Sequence, residues 1–238
     1  LNLPVHMHVH ETDHEVQEAV TKTGKRPLQR LHELDLLNPN LIAVHMTQLL
    51  PEEIALLAQN GVNVIHCPES NLKLASGFCP MFDLLRAGVN VALGTDGAAS
   101  NNNLDMMREI NFAAVLQKLA TMDPTAMPAE QALALATIDG ARALHMQKEI
   151  GSIEVGKKAD LAFLTLDTAH GVPLYNVYSQ IVYALEASDV RDVFVGGKPL
   201  MLDGKLTTLD EPAILAKARE YGRQVLESLK PQAAKPKQ

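Results

Sequence analysis

His8 and Glu11 are spaced as His-x-x-Glu. A neutral imidazole can hold a divalent metal, and a carboxylate close by can move protons. On its own this spacing is a weak signal. His45 closes a continuous apolar run, Leu41-Ile42-Ala43-Val44, and His66 closes Val62-Asn63-Val64-Ile65. Asp96 lies in Gly94-Thr95-Asp96-Gly97, where flanking glycines let the backbone turn sharply and leave the carboxylate exposed. A catalytic metal takes three or four protein ligands and keeps one position open for water. His8 and Asp96 supply two. His6-Met7-His8 also sets two imidazoles on one face of a strand, a pattern that can clamp a metal.

Such groups need a scaffold, and the pattern here is strand then helix. Residues 3–8 read as a strand, with helices predicted over 13–21 and 27–37. A strand over 41–45 is followed by a helix over 51–59, with Pro51 at its first turn and Gly61 just past its end. A strand over 62–66, a loop carrying Asn71, a helix over 80–87, a strand over 89–94 and a helix over 103–119 complete the series. Short apolar strands alternating with helices indicate parallel βα units. A doubly wound sheet and an eight-stranded barrel both have that pattern. The strand ends separate them. Each predicted strand finishes on, or just before, a residue able to do chemistry: His8, His45, His66 and Asp96. One histidine at a strand end is more often a satisfied core residue. Four in register match a barrel, whose active sites gather at the C-terminal ends of several strands. Four units make half of a barrel of eight. With the Asp on the last strand, they suit strands five to eight, which argues against His6 as a ligand.

Beyond a helix predicted over 128–144 the texture changes. Residues 151–160 are turn-rich and polar, and β-type runs follow over 161–166, 181–184, 190–195 and 198–202. Gly196-Gly197 between two of these runs is a hairpin signal. The expected fold is thus α/β. Residues 1–150 would form the C-terminal half of a metal-dependent (β/α)8 TIM-like barrel, and 151–210 part of a small β domain. Residues 211–238 would hold a helix over 212–229 and a fraying tail rich in Pro, Lys, Gln and Ala.

Composition narrows the function classes. The chain has 238 residues, 47% of them apolar, so it can bury a sizeable core. A formal net charge of −7 and only 4% aromatic residues leave no basic, aromatic-rich groove for nucleic acid. No run of about 18 apolar residues occurs, so no membrane span is expected. Cys67 and Cys79 are too few for a disulfide framework, and two reduced thiols of a cytoplasmic protein are the expectation.

Several segments together resemble the amidohydrolase superfamily. They are Met7-His8-Val9-His10-Glu11-Thr12, Ala43-Val44-His45, His66-Cys67-Pro68-Glu69-Ser70-Asn71-Leu72-Lys73-Leu74 and Leu93-Gly94-Thr95-Asp96-Gly97-Ala98-Ala99-Ser100-Asn101-Asn102. Within the superfamily they are most similar to the methylthioadenosine/S-adenosylhomocysteine deaminases and the related triazine chlorohydrolases. Residues 151–160 resemble the family's C-terminal β segment, so the likeness spans nearly the whole chain. The resemblance implies a distorted barrel with a small β-sandwich. It implies one divalent metal, zinc or alternatively iron, held by His8, by Asp96 and by a first-strand His-x-His that this chain lacks. It also implies hydrolytic deamination of a purine nucleoside. Asp96 would accept the water's proton, Glu11 would protonate the ring nitrogen, and His45 would hydrogen-bond the attacking water. Glu11, His66, Asn71 and Asp96 would meet the substrate, and a homo-oligomer is expected. The alternatives are a relative acting on a triazine, guanine or pterin ring, or a truncated, non-catalytic module.

Overall fold

The computed structural model describes residues 3–229; the tail expected to fray lies outside the described residues from position 230 onward. Four short strands, β1 (Val5–Val9), β2 (Leu41–His45), β3 (Asn63–His66) and β4 (Asn90–Leu93), form one parallel sheet in chain order. Val9 pairs with His45, and His66 with Leu93, so the chemistry-bearing strand ends share one edge of the sheet. β2 is buried along its whole length, as an apolar strand covered on both faces should be.

The helices between the strands follow local rules. α1 (Asp13–Thr23) starts where the Thr12 hydroxyl accepts from Glu15 N and stops at Gly24 in the left-handed region. α2 (Pro27–Glu33) and α3 (Pro51–Gln59) both open on proline, whose missing N–H costs nothing in a first turn. Glu53 reaches back from α3 to Leu50 N at 2.9 Å. α4 (Pro68–Lys73), α5 (Met81–Arg86) and α6 (Met106–Thr121) complete this layer. Leu28, Leu57, Val64, Met81, Leu84, Val91, Ile110 and Leu135 share one core cluster. Each large side chain fully buried there contributes about 1.5–3 kcal/mol.

Three expectations require correction. The stretch expected to be a loop after β3 is α4, so Asn71 sits on a helix and His66 on the last position of a strand. The helix expected over 128–144 is two, α7 (Ala129–Leu135) and α8 (Ile138–Ala143). Thr137 breaks it, with φ −127° and ψ −97°, while its hydroxyl donates back to Leu133 O at 2.9 Å. Residues 181–184, expected as a strand, instead close α9 (Val177–Tyr183). Asn176 caps that helix by accepting from Ser179 N, and Val182 is buried beneath it. A four-residue apolar run cannot distinguish the two states.

A second sheet is antiparallel, in the order β5 (Leu161–Leu164), β6 (Val190–Val195), β7 (Lys198–Leu202) and β8 (Lys205–Leu206). Gly196 and Gly197 turn the hairpin with φ of 56° and 77°, which residues with a Cβ adopt only at a cost. α10 (Glu211–Ser228) follows, with no buried residue. Among the described residues, no helix is long and apolar enough to cross a membrane.

Candidate active site

The parallel sheet brings three of the expected residues together. One ligand atom each from His8, His45 and Asp96 lies within 4.8 Å of the others. The His8 and His45 rings stack with centroids 5.2 Å apart and 23° between their planes. Two imidazoles and a carboxylate form a donor set suited to zinc or a similar divalent ion. Sequence reasoning gave only His8 and Asp96 to the metal; the structure adds a His45 nitrogen to the same cluster. His6, on the same strand, is not part of it among the described residues.

The backbone departs from ordinary geometry at these points. His10, His45, Met46 and Asp96 have φ of 54°, 77°, 50° and 60°. A left-handed conformation in a residue with a Cβ costs about 1–3 kcal/mol and persists where surrounding structure holds it. Here it turns the chain at or just past the ends of β1 and β2 and in the Thr95-Asp96-Gly97 turn after β4.

Asp96 Oδ2 accepts from the hydroxyls of Ser70 at 2.7 Å and Ser100 at 2.6 Å. Burial alone would raise its pKa. The Ser100 and Ser70 hydroxyls, the Gly97 backbone and the charge on His45 outweigh that and hold Asp96 below the usual carboxylate range. It is therefore ionised at neutral pH, the form in which a carboxylate can hold a metal.

His45 is buried, and its Nδ1 lies 2.8 Å from Asn71 Oδ1. An amide oxygen can only accept, so Nδ1 carries a proton toward Asn71 and Nε2 is the nitrogen left for another partner. Nε2 lies 3.7 Å from Glu11 Oε2. Glu11 is half-buried, and its Oε1 accepts from Ser76 Oγ at 3.2 Å. Asn71 Nδ2 approaches His66 Nδ1 at 3.5 Å. His66 is buried, and its Nε2 has no hydrogen-bond partner among the described residues. Burial first, and the charge on His45 second, push its pKa down to about 3, so the imidazole is neutral. Burial first, then the Asp96 charge, pushes the Cys67 thiol up to about 12, which removes it as a nucleophile.

Sequence reasoning missed the residues that hold this geometry. Ser70 and Ser100 lie inside segments it singled out, but nothing local marks their hydroxyls as partners of Asp96. Ser76 and Asn101 were equally silent. Glu109 is fully buried in α6, and only the structure shows that burial.

Comparison with known proteins follows the same lines. The model of the amidohydrolase family matches residues 1–200. The chain is 48% identical to a 5-methylthioadenosine/S-adenosylhomocysteine deaminase of Teredinibacter turnerae, over 93% of this chain and 50% of that protein. It is 50% identical to the deaminase of that description from Moorella thermoacetica, over 91% of this chain and 50% of the relative. Thus it spans about half the length of the curated relatives it matches. Among solved structures, an adenosine deaminase from Xanthomonas campestris with bound zinc superposes with a TM-score of 0.92 at 51% identity, covering 94% of this chain and 51% of that one. An atrazine chlorohydrolase of Arthrobacter aurescens complexed with zinc gives 0.84 at 25% identity, covering 92% and 48%. The family match over most of the length, joined to the His8, His45 and Asp96 cluster, makes this chain a member of the amidohydrolase family.

Proposed function

We propose that the protein is a metal-dependent hydrolytic deaminase of methylthioadenosine and S-adenosylhomocysteine. The observation that carries this reading is the meeting of His8, His45 and Asp96 within 4.8 Å, with Glu11 3.7 Å from His45. His8 and Asp96 would hold one divalent metal, zinc or alternatively iron. Such a metal would supply Lewis acidity, which lowers the pKa of a water toward neutrality. His45 is near enough to be a third ligand. We assign its Nε2 to the attacking water, because it lies 3.7 Å from Glu11 Oε2, the other group we assign to the reacting centre.

The protons then balance through two carboxylates. Asp96 takes one proton from water as its oxygen bonds the purine carbon bearing the amino group. Glu11, entering protonated, gives a proton to the adjacent ring nitrogen, so negative charge does not build on the ring. As the C–N bond breaks, the proton on Asp96 passes to the departing ammonia. The proton left on the new hydroxyl returns to Glu11 as the carbonyl forms. His66, whose buried Nε2 has no partner among the described residues, and Asn71 beside it are assigned to the substrate side.

In this reading residues 1–150 supply four of eight barrel strands, 151–210 part of a β-sandwich, and 211–238 a helix and tail. The free cysteines suit a cytoplasmic enzyme, the charge of −7 suits a small-molecule substrate rather than nucleic acid, and a homo-oligomer is expected. Likeness to an atrazine chlorohydrolase supports a second reading, displacement of chloride from a triazine, at half the sequence identity of the deaminase match. Assays of the protein at its full natural length decide. Ammonia released from methylthioadenosine and S-adenosylhomocysteine is expected; chloride from a triazine with no ammonia would support the second reading instead.

A further inference from the structure

Glu109 lies in the first turn of α6 and is fully buried. Its two oxygens reach two different elements. Oε1 accepts from Asn101 Nδ2 at 2.5 Å, and Oε2 accepts from Glu69 N at 3.1 Å. Asn101 uses the same amide nitrogen to donate to Thr95 O at 2.8 Å, one residue before Asp96. Glu69 N is an otherwise unpaired donor in the first turn of α4, where Cys67 provides no side-chain cap. The next residue, Ser70, donates to Asp96 Oδ2, and Asn71 after it orients His45. One buried carboxylate therefore joins the turn that carries Asp96 to the helix that carries Ser70, a partner of Asp96, and Asn71, the partner of His45.

We propose that Glu109 is a positioning residue that sets the orientation of Asp96 and His45 toward the metal, acting through Asn101 and the first turn of α4. This rests on the reading of Asp96 as a metal-holding carboxylate. Glu109 does not touch the metal cluster. It fixes the spacing between α4 and the Thr95-Asp96-Gly97 turn, and that spacing decides whether the Ser70 hydroxyl meets Oδ2. Helix capping alone does not account for it, because a cap would need one oxygen and both are used. Nor does general stability, since burying a carboxylate is costly. Burial, the largest influence, pushes its pKa up to about 7 against the hydrogen bonds it accepts.

The test loads the full-length protein with Co2+, reading the visible absorption bands and the affinity by chelator competition, with melting temperature measured in parallel. Glu109→Ala is expected to weaken Co2+ binding about 10-fold, the scale typical of partners that orient ligands, and to shift the bands. Glu109→Gln, which keeps one acceptor oxygen, should recover part of both. Asn101→Ala cuts the other end of the same link and should reproduce the shift, so the inference stays testable if Glu109→Ala fails to fold. If both variants lose melting temperature while the bands and affinity stay unchanged, Glu109 is only structural and the inference is overturned. Asp96→Ala separates the layers. If it loses Co2+ while the Glu109 and Asn101 variants do not, the inference alone fails. If it binds Co2+ like the parent, the site reading fails and takes the inference with it.

Discussion

His45 shows how a single residue is committed from both sides. Asn71 fixes the proton on Nδ1, which leaves Nε2 to face Glu11. If Glu11 carries the ring-nitrogen proton, Glu11→Gln should lower the rate of ammonia release by about 10²–10⁴-fold while leaving bound metal unchanged. Equal loss of metal and activity would show that Glu11 shapes the site rather than moving protons. Glu109 makes a different kind of statement, about stability. Burial raises its pKa from 4.5 to about 7, with the Glu69 charge adding to the rise and Arg108 opposing it. Below the unfolded value both states are protonated and nothing is lost. As pH rises from there to about 7, the unfolded chain sheds its proton first, so stability falls and the loss is complete above that value. The fall is on the order of 3 kcal/mol. Denaturant melts between pH 4.5 and 8 should show that slope, and Glu109→Gln should flatten it. His8, Glu11, His45 and Asp96 were legible in the sequence because strand ends mark them. Ser70 and Glu109 were not, because their partners lie 26 and 40 residues away and only folding brings the elements into contact; Ser100 is four residues from Asp96, but only the turn geometry points its hydroxyl at the carboxylate.

Elements differ in how openly the sequence declares them. β2, α3, β6 and β7 match their expected bounds because apolar runs, an N1 proline and a Gly-Gly turn are all local signals. α4 was invisible for the opposite reason. Its residues Pro68-Glu69-Ser70-Asn71 are turn formers, and the partner for its first turn comes from Glu109 on another helix. α9 misled because its cap, Asn176, stands five residues before the run that looked like a strand. Gly77 belongs to this scale too. It follows Ser76, the partner of Glu11, with φ of 143°, and an added Cβ would lie 2.3 Å from Gln48 Nε2 and 2.6 Å from Thr47 Oγ1. Those side chains also hold the Ser76 carbonyl and the Glu11 carbonyl. Gly77→Ala should therefore cost about 1–3 kcal/mol of stability and lower activity by displacing Ser76 from Glu11. An unchanged melting temperature would mean that the segment relaxes freely.

At the scale of the whole molecule, the parallel sheet has no strand beyond β1 or β4 among the described residues, and most of β1 is exposed. Parallel sheets are normally covered on both faces, and open edges invite pairing with other chains. A polypeptide limited to residues 3–229 should therefore self-associate as concentration rises, and sedimentation would report it. A monodisperse monomer would show that the edges are blunted. Such global features depend on what pairs with each edge, which no local pattern in the chain records. The strand ends of this sheet are proposed to assemble a metal site that deaminates a nucleoside. Metal content per chain, measured with ammonia release from methylthioadenosine for the full-length protein and for Asp96→Ala, tests it most directly. About one zinc and prompt ammonia are expected in the parent, and loss of both in the variant. Full activity without metal, or a variant that keeps both, would contradict it.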